Sequence, residues 1–116
     1  MRKHLLLTGF IMTALFLTYC SSSKKAAKAV PKLTFATNLK TVIETNCTPC
    51  HIPSKGGNKK PFDVYANVQT DIDEMIRRID LNPTDKGFMP FKKKEKLSDS
   101  TIAIFKQWKA DGLLEN

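Results

Sequence analysis

The sequence predicts an all-α domain, and three observations carry that expectation. Apolar residues recur at three- and four-residue spacing in three separate segments, as one face of a helix requires. Nowhere does a long run alternate apolar with polar residues as a strand would. The connecting stretches are rich in Lys, Gly and Pro, and no internal repeat is visible.

The chain opens with "MRKHLLLTGFIMTALFLTYC". Arg2 and Lys3 precede an apolar run from Leu5 to Tyr19, the pattern of an export signal rather than of domain structure. The run falls short of the roughly 20 apolar residues that a membrane-spanning helix needs. Its end, "LTYC", resembles a bacterial lipobox, in which the cysteine is lipidated and becomes the mature N-terminus. Leu17 and Thr18 suit that pattern, whereas Tyr19 stands where a small residue is usual. The expectation is a signal peptide over 1–19 and a lipid on Cys20. The alternative is a plain signal peptide or an uncleaved anchor, with Cys20 incidental.

Residues 21–32, "SSSKKAAKAVPK", are small, polar and basic without apolar periodicity, so 20–32 reads as a tether. A dozen residues reach at most about 40 Å. No Asp follows Cys20, which favours the outer membrane by the sorting rule of some bacteria. The implied location is the cell envelope, facing the periplasm. Formal net charge is +8, but Arg2, Lys3, Lys24, Lys25 and Lys28 all precede residue 31, which leaves +3 beyond it. The excess therefore lies near the expected membrane, where it can touch anionic headgroups. No aromatic-interleaved basic stripe is present, so nucleic acid is not an expected partner.

The working domain is expected over 33–116. In "TFATNLKTVIETNC", Phe35, Leu39, Val42 and Ile43 form a helical stripe, with Thr34 as N-cap and a break near Thr45 or Asn46. "SKGGNKK" reads as a flexible turn, and "FDVYANV" as a further short helix. In "TDIDEMIRRID", Ile72, Met75, Ile76 and Ile79 share one face, which makes Met75 a core residue. The last helix should be capped by Ser98 and ended by Gly112, burying Ile102, Phe105 and Trp108 with Leu97 before them. A domain of this size buries a thin core and benefits from a cofactor or metal.

"CTPCH" carries the chemistry. Cys47, Cys50 and His51 are compatible in principle with a zinc half-site, a redox dithiol or a haem attachment point. Zinc wants four ligands. If Cys20 carries lipid and His4 leaves with the signal, none remains for a fourth position. A thioredoxin-like dithiol opens a helix after a strand, and no strand pattern precedes Asn46. C-x-x-C-H is the attachment signature of c-type haem. The two thiols add across the two vinyl groups, one turn of chain sets the sulfurs along one porphyrin edge, and the next residue offers its imidazole to the iron.

With "CTPCH" between a first helix and a loop, then a middle helix, the Met-Pro loop "DKGFMPF" and a last helix bearing Trp108, residues 33–116 resemble a class I c-type cytochrome. The resemblance implies one covalent haem c and a helical fold whose first and last helices cross beside it. The expected function is membrane-tethered passage of one electron between redox partner proteins, without bond-making catalysis. His51 is the implied proximal ligand. A second histidine is lacking in the mature chain, so the sixth ligand falls to methionine. Met89 follows Gly87 and precedes Pro90, a stiff loop that presents a thioether; lysine ligation or an open position is the alternative.

The family also implies a proline carbonyl on the other imidazole nitrogen, here Pro61, with Pro53 as second choice. Tyr65 matches an aromatic after the loop, either bonding a haem propionate or packing. Arg77 and Arg78 either neutralise a propionate or lie on a solvated face, and Trp108 is core or haem wall. The lysines of "KKKEK", residues 92–96, either steer acidic docking surfaces or form a solvated loop. Rival functions are a haem-based gas sensor, in which Met89 leaves the iron, and a haem subunit of a larger oxidoreductase.

Overall fold

A computed structural model describes residues 29–116. The expected signal peptide (1–19), Cys20 and most of the tether (20–32) lie outside the described residues. Within them the domain is helical, and no strand longer than an isolated bridge occurs. No described helix is long and apolar enough to cross a membrane.

A π-helical turn over Phe35–Leu39 runs directly into α1, Lys40–Asn46. Thr34 caps it as expected, its Oγ1 accepting from the Thr37 N–H at 3.2 Å. Asn38 Oδ1 answers by accepting from the Thr34 N–H at 2.9 Å. A helix N-terminus leaves further N–H groups without intrahelical partners. Here the chain segment after the last helix supplies them: Phe35 N–H donates to Leu114 O at 2.8 Å and Ala36 N–H to Glu115 O at 2.9 Å. The same segment takes two aromatic donors, Trp108 Nε1 to Leu114 O and Tyr65 Oη to Leu113 O, both at 2.8 Å. The two ends of the domain are thereby stitched together by backbone and side-chain donors at once.

The middle helix is one element. α2 spans Tyr65–Asp80, so "FDVYANV" holds no separate short helix: its last four residues are the first turn of this one. The physical reason is a continuous stripe: Val68, Ile72, Met75 and Ile79 are all buried, and no Gly or Pro interrupts them. α3, Asp99–Ala110, begins at Ser98, whose Oγ accepts from the Thr101 N–H at 3.2 Å. It ends with Gly112 at φ +104°, Gly112 N–H reaching Lys109 O and Leu113 N–H reaching Trp108 O. That pair of bonds is a Schellman stop, which needs the left-handed residue glycine provides.

The core gathers Phe35, Leu39, Ile43, Val68, Ile72, Met75, Ile79, Ile102, Phe105 and Trp108. α3 packs on α2 and on the π turn. Leu39 and Ile43 are fully buried, whereas Val42 is only half-buried. Trp108 is completely buried among Phe35 and Tyr65, whose rings lie 6.3 Å from it. Across the surface of this packing, Asp80 accepts from both Lys106 (2.8 Å) and Lys96 (2.9 Å), and Lys109 pairs with Asp73. These ion pairs tie α2 to α3 and to the loop before it.

The Lys106 hydrogen bond, followed by that of Lys96, holds the Asp80 carboxyl down at about 2, against 3.8 for a free aspartate. A depressed folded-state pKa contributes stability above the unfolded pKa and loses it as pH falls through the folded one. Asp80→Asn should therefore unfold at lower urea than the wild type at neutral pH, and the gap should close between about pH 4 and pH 2. Urea midpoints measured across that window check it; a gap that persists unchanged at pH 2 would contradict the assignment.

Candidate functional site

α1 stops at Asn46, and the chain continues for one more turn. Cys47 N–H donates to Ile43 O at 2.8 Å and His51 N–H to Cys47 O at 3.1 Å. Three sequence-predicted residues, Cys47, Cys50 and His51, thus occupy one turn immediately after a helix C-terminus. Both cysteines are free thiols. Burial pushes the Cys47 thiol up to about 11, so it is neutral at physiological pH, while Cys50 is exposed. Reactive dithiols have the opposite arrangement, a helix N-terminus that lowers the nucleophile's pKa. Among the described residues, no three His, Cys, Asp or Glu side chains converge as metal ligands.

After the turn, the chain folds back across it. A 3₁₀ turn, Pro53–Lys55, ends at Gly56 with φ +84°. Gly57 then passes directly against the motif: a Cβ built on it would lie 2.1 Å from Pro49 O and 2.6 Å from Cys50 O. Lys59 N–H donates to Cys50 O at 3.0 Å and Phe62 N–H to His51 O at 3.0 Å. The returning segment thus touches the turn at Gly57, Lys59 and Phe62.

His51 Nδ1 lies 2.8 Å from the backbone oxygen of Lys60. The expected partner, Pro61, is not the one used, and neither is Pro53. Lys60 and Phe62 both contact His51, while the Pro61 carbonyl between them accepts from Asn67 Nδ2 at 2.8 Å. With Nδ1 beside a carbonyl, that nitrogen carries the hydrogen and Nε2 keeps its lone pair for a ligand.

A cavity of about 300 Å³ opens beside the motif. Cys47, Cys50 and His51 line it, and so does Met89. Phe62, Met75, Ile79, Pro90, Phe91 and Phe105 supply apolar walls. Met89 sits half-buried on its loop, where its N–H donates to Arg78 O at 3.2 Å and so fastens the loop to the end of α2. Four of the seven predicted site residues therefore share one cavity. Pro61, Tyr65 and Trp108 do not line it. The Tyr65 hydroxyl is spent on Leu113 O, and Trp108 lies in the core behind Phe105, which takes the wall position instead.

Of the two arginines, only Arg78 lines the cavity. Both grip Glu74, Arg77 through Nε and Nη2 and Arg78 through Nε, each at 2.7 Å. The Arg77 hydrogen bonds, then that of Arg78, hold the Glu74 carboxyl at about 2. Lys96 of the basic run is tied to Asp80, Lys93 lines the cavity, and Lys92 lies 5.4 Å from the exposed Phe91 ring.

Sequence reasoning missed Phe62, Phe105 and Gly57. Phe105 was legible as apolar but not as facing a cavity, since core wall and cavity wall share one helical face. Phe62 belongs to no periodic pattern. Comparison with family models, with curated proteins and with solved structures returned no match.

The close crossing at Gly57 carries a prediction. Gly57→Ala meets backbone atoms that cannot yield, so it should cost at least about 2 kcal/mol of stability. Gly56→Ala has open space around it and faces only the left-handed backbone penalty, roughly 1–2 kcal/mol. Urea unfolding of the two variants should rank Gly57→Ala as the more damaging; the reverse order would contradict the crossing.

Proposed function

We propose that this chain is a membrane-tethered monohaem c-type cytochrome that passes one electron between redox partners. The single observation that carries the reading is the meeting of Cys47, Cys50, His51 and Met89 on one cavity whose remaining walls are largely apolar. The donor set fits the group. Two thiols stand one turn apart, the imidazole follows with Nδ1 already taken, and a thioether comes from a separate loop fastened to another helix.

Cys47 and Cys50 would hold the haem through thioethers, each S–H adding across one vinyl group with its hydrogen going to the neighbouring carbon. His51 through Nε2 and Met89 through Sδ would hold its iron. Bound there, the haem supplies an iron that alternates between the ferric and ferrous states. Phe62, Ile79 and Phe105 would exclude water from it, which tunes the potential through the local dielectric. Lys93 on the lining would be available to its carboxylates, whereas Lys60 and Arg78, also on the lining, are engaged by Asp71 and Glu74. With its iron held by two side chains of the chain itself, outer-sphere transfer would be favoured over chemistry at the metal.

The export-type N-terminus and Cys20 fit this reading, because c-type haem is attached outside the cytoplasm. Lys92, Lys93 and Lys94 offer a basic rim for an acidic partner, with attraction that weakens as salt is raised.

The test is a visible spectrum of protein matured in a host with haem-attachment machinery. Two thioethers should give a c-type ferrous α-band, and Met89 ligation a weak far-red ferric band. Met89→Ala should abolish the far-red band and keep the α-band, and should let carbon monoxide bind the ferrous form. A far-red band that survives Met89→Ala overturns the ligand assignment. Strong carbon monoxide binding by the wild type would favour the gas-sensing alternative.

A further inference from the structure

The returning segment 60–62 engages His51 at three places. The Lys60 carbonyl takes the ring nitrogen Nδ1 (2.8 Å), and the Phe62 N–H takes the His51 carbonyl (3.0 Å). The Phe62 ring lies flat against the imidazole, centroids 4.2 Å apart and planes within 8° of parallel. A hydrogen bond at Nδ1 fixes which nitrogen is free but still allows the ring to tilt about that contact. A parallel ring on one face removes the tilt. Phe62 itself is held by packing against the core, so it is a fixed wall rather than a mobile cover.

We propose that Phe62 is the positioning residue for His51, and that it sets the plane in which the imidazole meets its ligand and keeps water from the proximal face. The assignment rests on the haem reading above. Two of the contacts occupy one edge and one face of the imidazole and the third holds the His51 backbone; among the described residues they leave Nε2, on a ring that lines the cavity, as its unengaged polar atom. The arrangement belongs to the chain itself, because every contact is made by residues 51, 60 and 62. It also explains the close crossing at Gly57: without it, residues 60–62 could not lie against the motif turn.

The consequences separate into two kinds. Flat contact with a benzene ring moves imidazole proton resonances upfield, whether or not haem is attached. Once haem is attached, the plane of the axial imidazole governs the anisotropy of the ferric electron paramagnetic resonance signal. Exclusion of water from the proximal side disfavours the ferric state, so opening that side lowers the reduction potential.

The experiment compares wild type, Phe62→Leu and Phe62→Tyr, first as the haem-free full chain by proton NMR and then as the haem-loaded protein. The expected wild-type result is upfield-shifted His51 ring protons, lost in Phe62→Leu and kept in Phe62→Tyr. In the loaded protein, Phe62→Leu should change the ferric resonance anisotropy and lower the potential by up to a tenfold change in the redox equilibrium, 59 mV for one electron; Phe62→Tyr should restore both. Unshifted His51 protons in a wild-type haem-free chain whose dispersed amide spectrum shows it folded would overturn the positioning role. So would a loaded Phe62→Leu protein with wild-type anisotropy and potential. Failure of the wild type to take up haem would instead strike the functional reading, while the haem-free NMR comparison still decides the role of Phe62.

Discussion

Gly57 lies so near the Pro49–Cys50 backbone that no side chain fits between them. Much of the site depends on that one steric constraint. Because the chain can cross there, Lys59 reaches Cys50, Lys60 reaches the His51 ring and Phe62 reaches both the backbone and the face of His51. A Cβ there would overlap Pro49 O and Cys50 O, so the returning segment would have to move away from the turn that its contacts on His51 depend on. The imidazole would then be an ordinary surface histidine on a turn. The glycine is needed here for proximity rather than for an unusual backbone angle, unlike Gly56 and Gly112, which take the left-handed conformation.

The opposite side of the cavity is built on a different principle. α2 is straight and continuous, and its buried face runs from Val68 to Ile79. Near its end, the Arg78 carbonyl accepts the Met89 N–H, so the helix terminus anchors the loop that carries the thioether. The α2 face also contributes Met75 and Ile79 to the cavity. α3 is held to α2 by Phe105 and its neighbours within and by the Asp80 and Asp73 ion pairs outside. Exposed ion pairs contribute little each, and the core packing dominates. The two halves of the candidate site are thus fixed by separate means: a loop crossing for the histidine side and a helix end for the methionine side.

Much of this was legible beforehand. The caps at Thr34 and Ser98, the stop at Gly112 and the buried faces of three helices follow from local rules of hydrogen bonding and periodicity, and they appear where those rules put them. The grouping of Cys47, Cys50 and His51 is a matter of sequence adjacency. What could not be read were facts of register and direction. Pro61 and Lys60 differ by one residue, and only the folded loop decides which carbonyl meets His51. Tyr65 and Trp108 were each open to a packing role as well as a haem-side one; carbonyls at 113 and 114 take their polar atoms and hold them toward the segment after α3. Phe62 had no periodic partner to announce it, and its role emerges only when the loop has folded back.

The central claim is that a porphyrin is bonded permanently to Cys47 and Cys50. Intact-mass spectrometry under denaturing conditions tests it most directly, on protein made with haem-attachment machinery. The account predicts a mass gain of one haem that survives denaturation, is absent in the Cys47→Ala, Cys50→Ala double variant and localises to the peptide containing "CTPCH". A wild-type chain that emerges at its bare polypeptide mass, with both thiols still alkylatable, would contradict it.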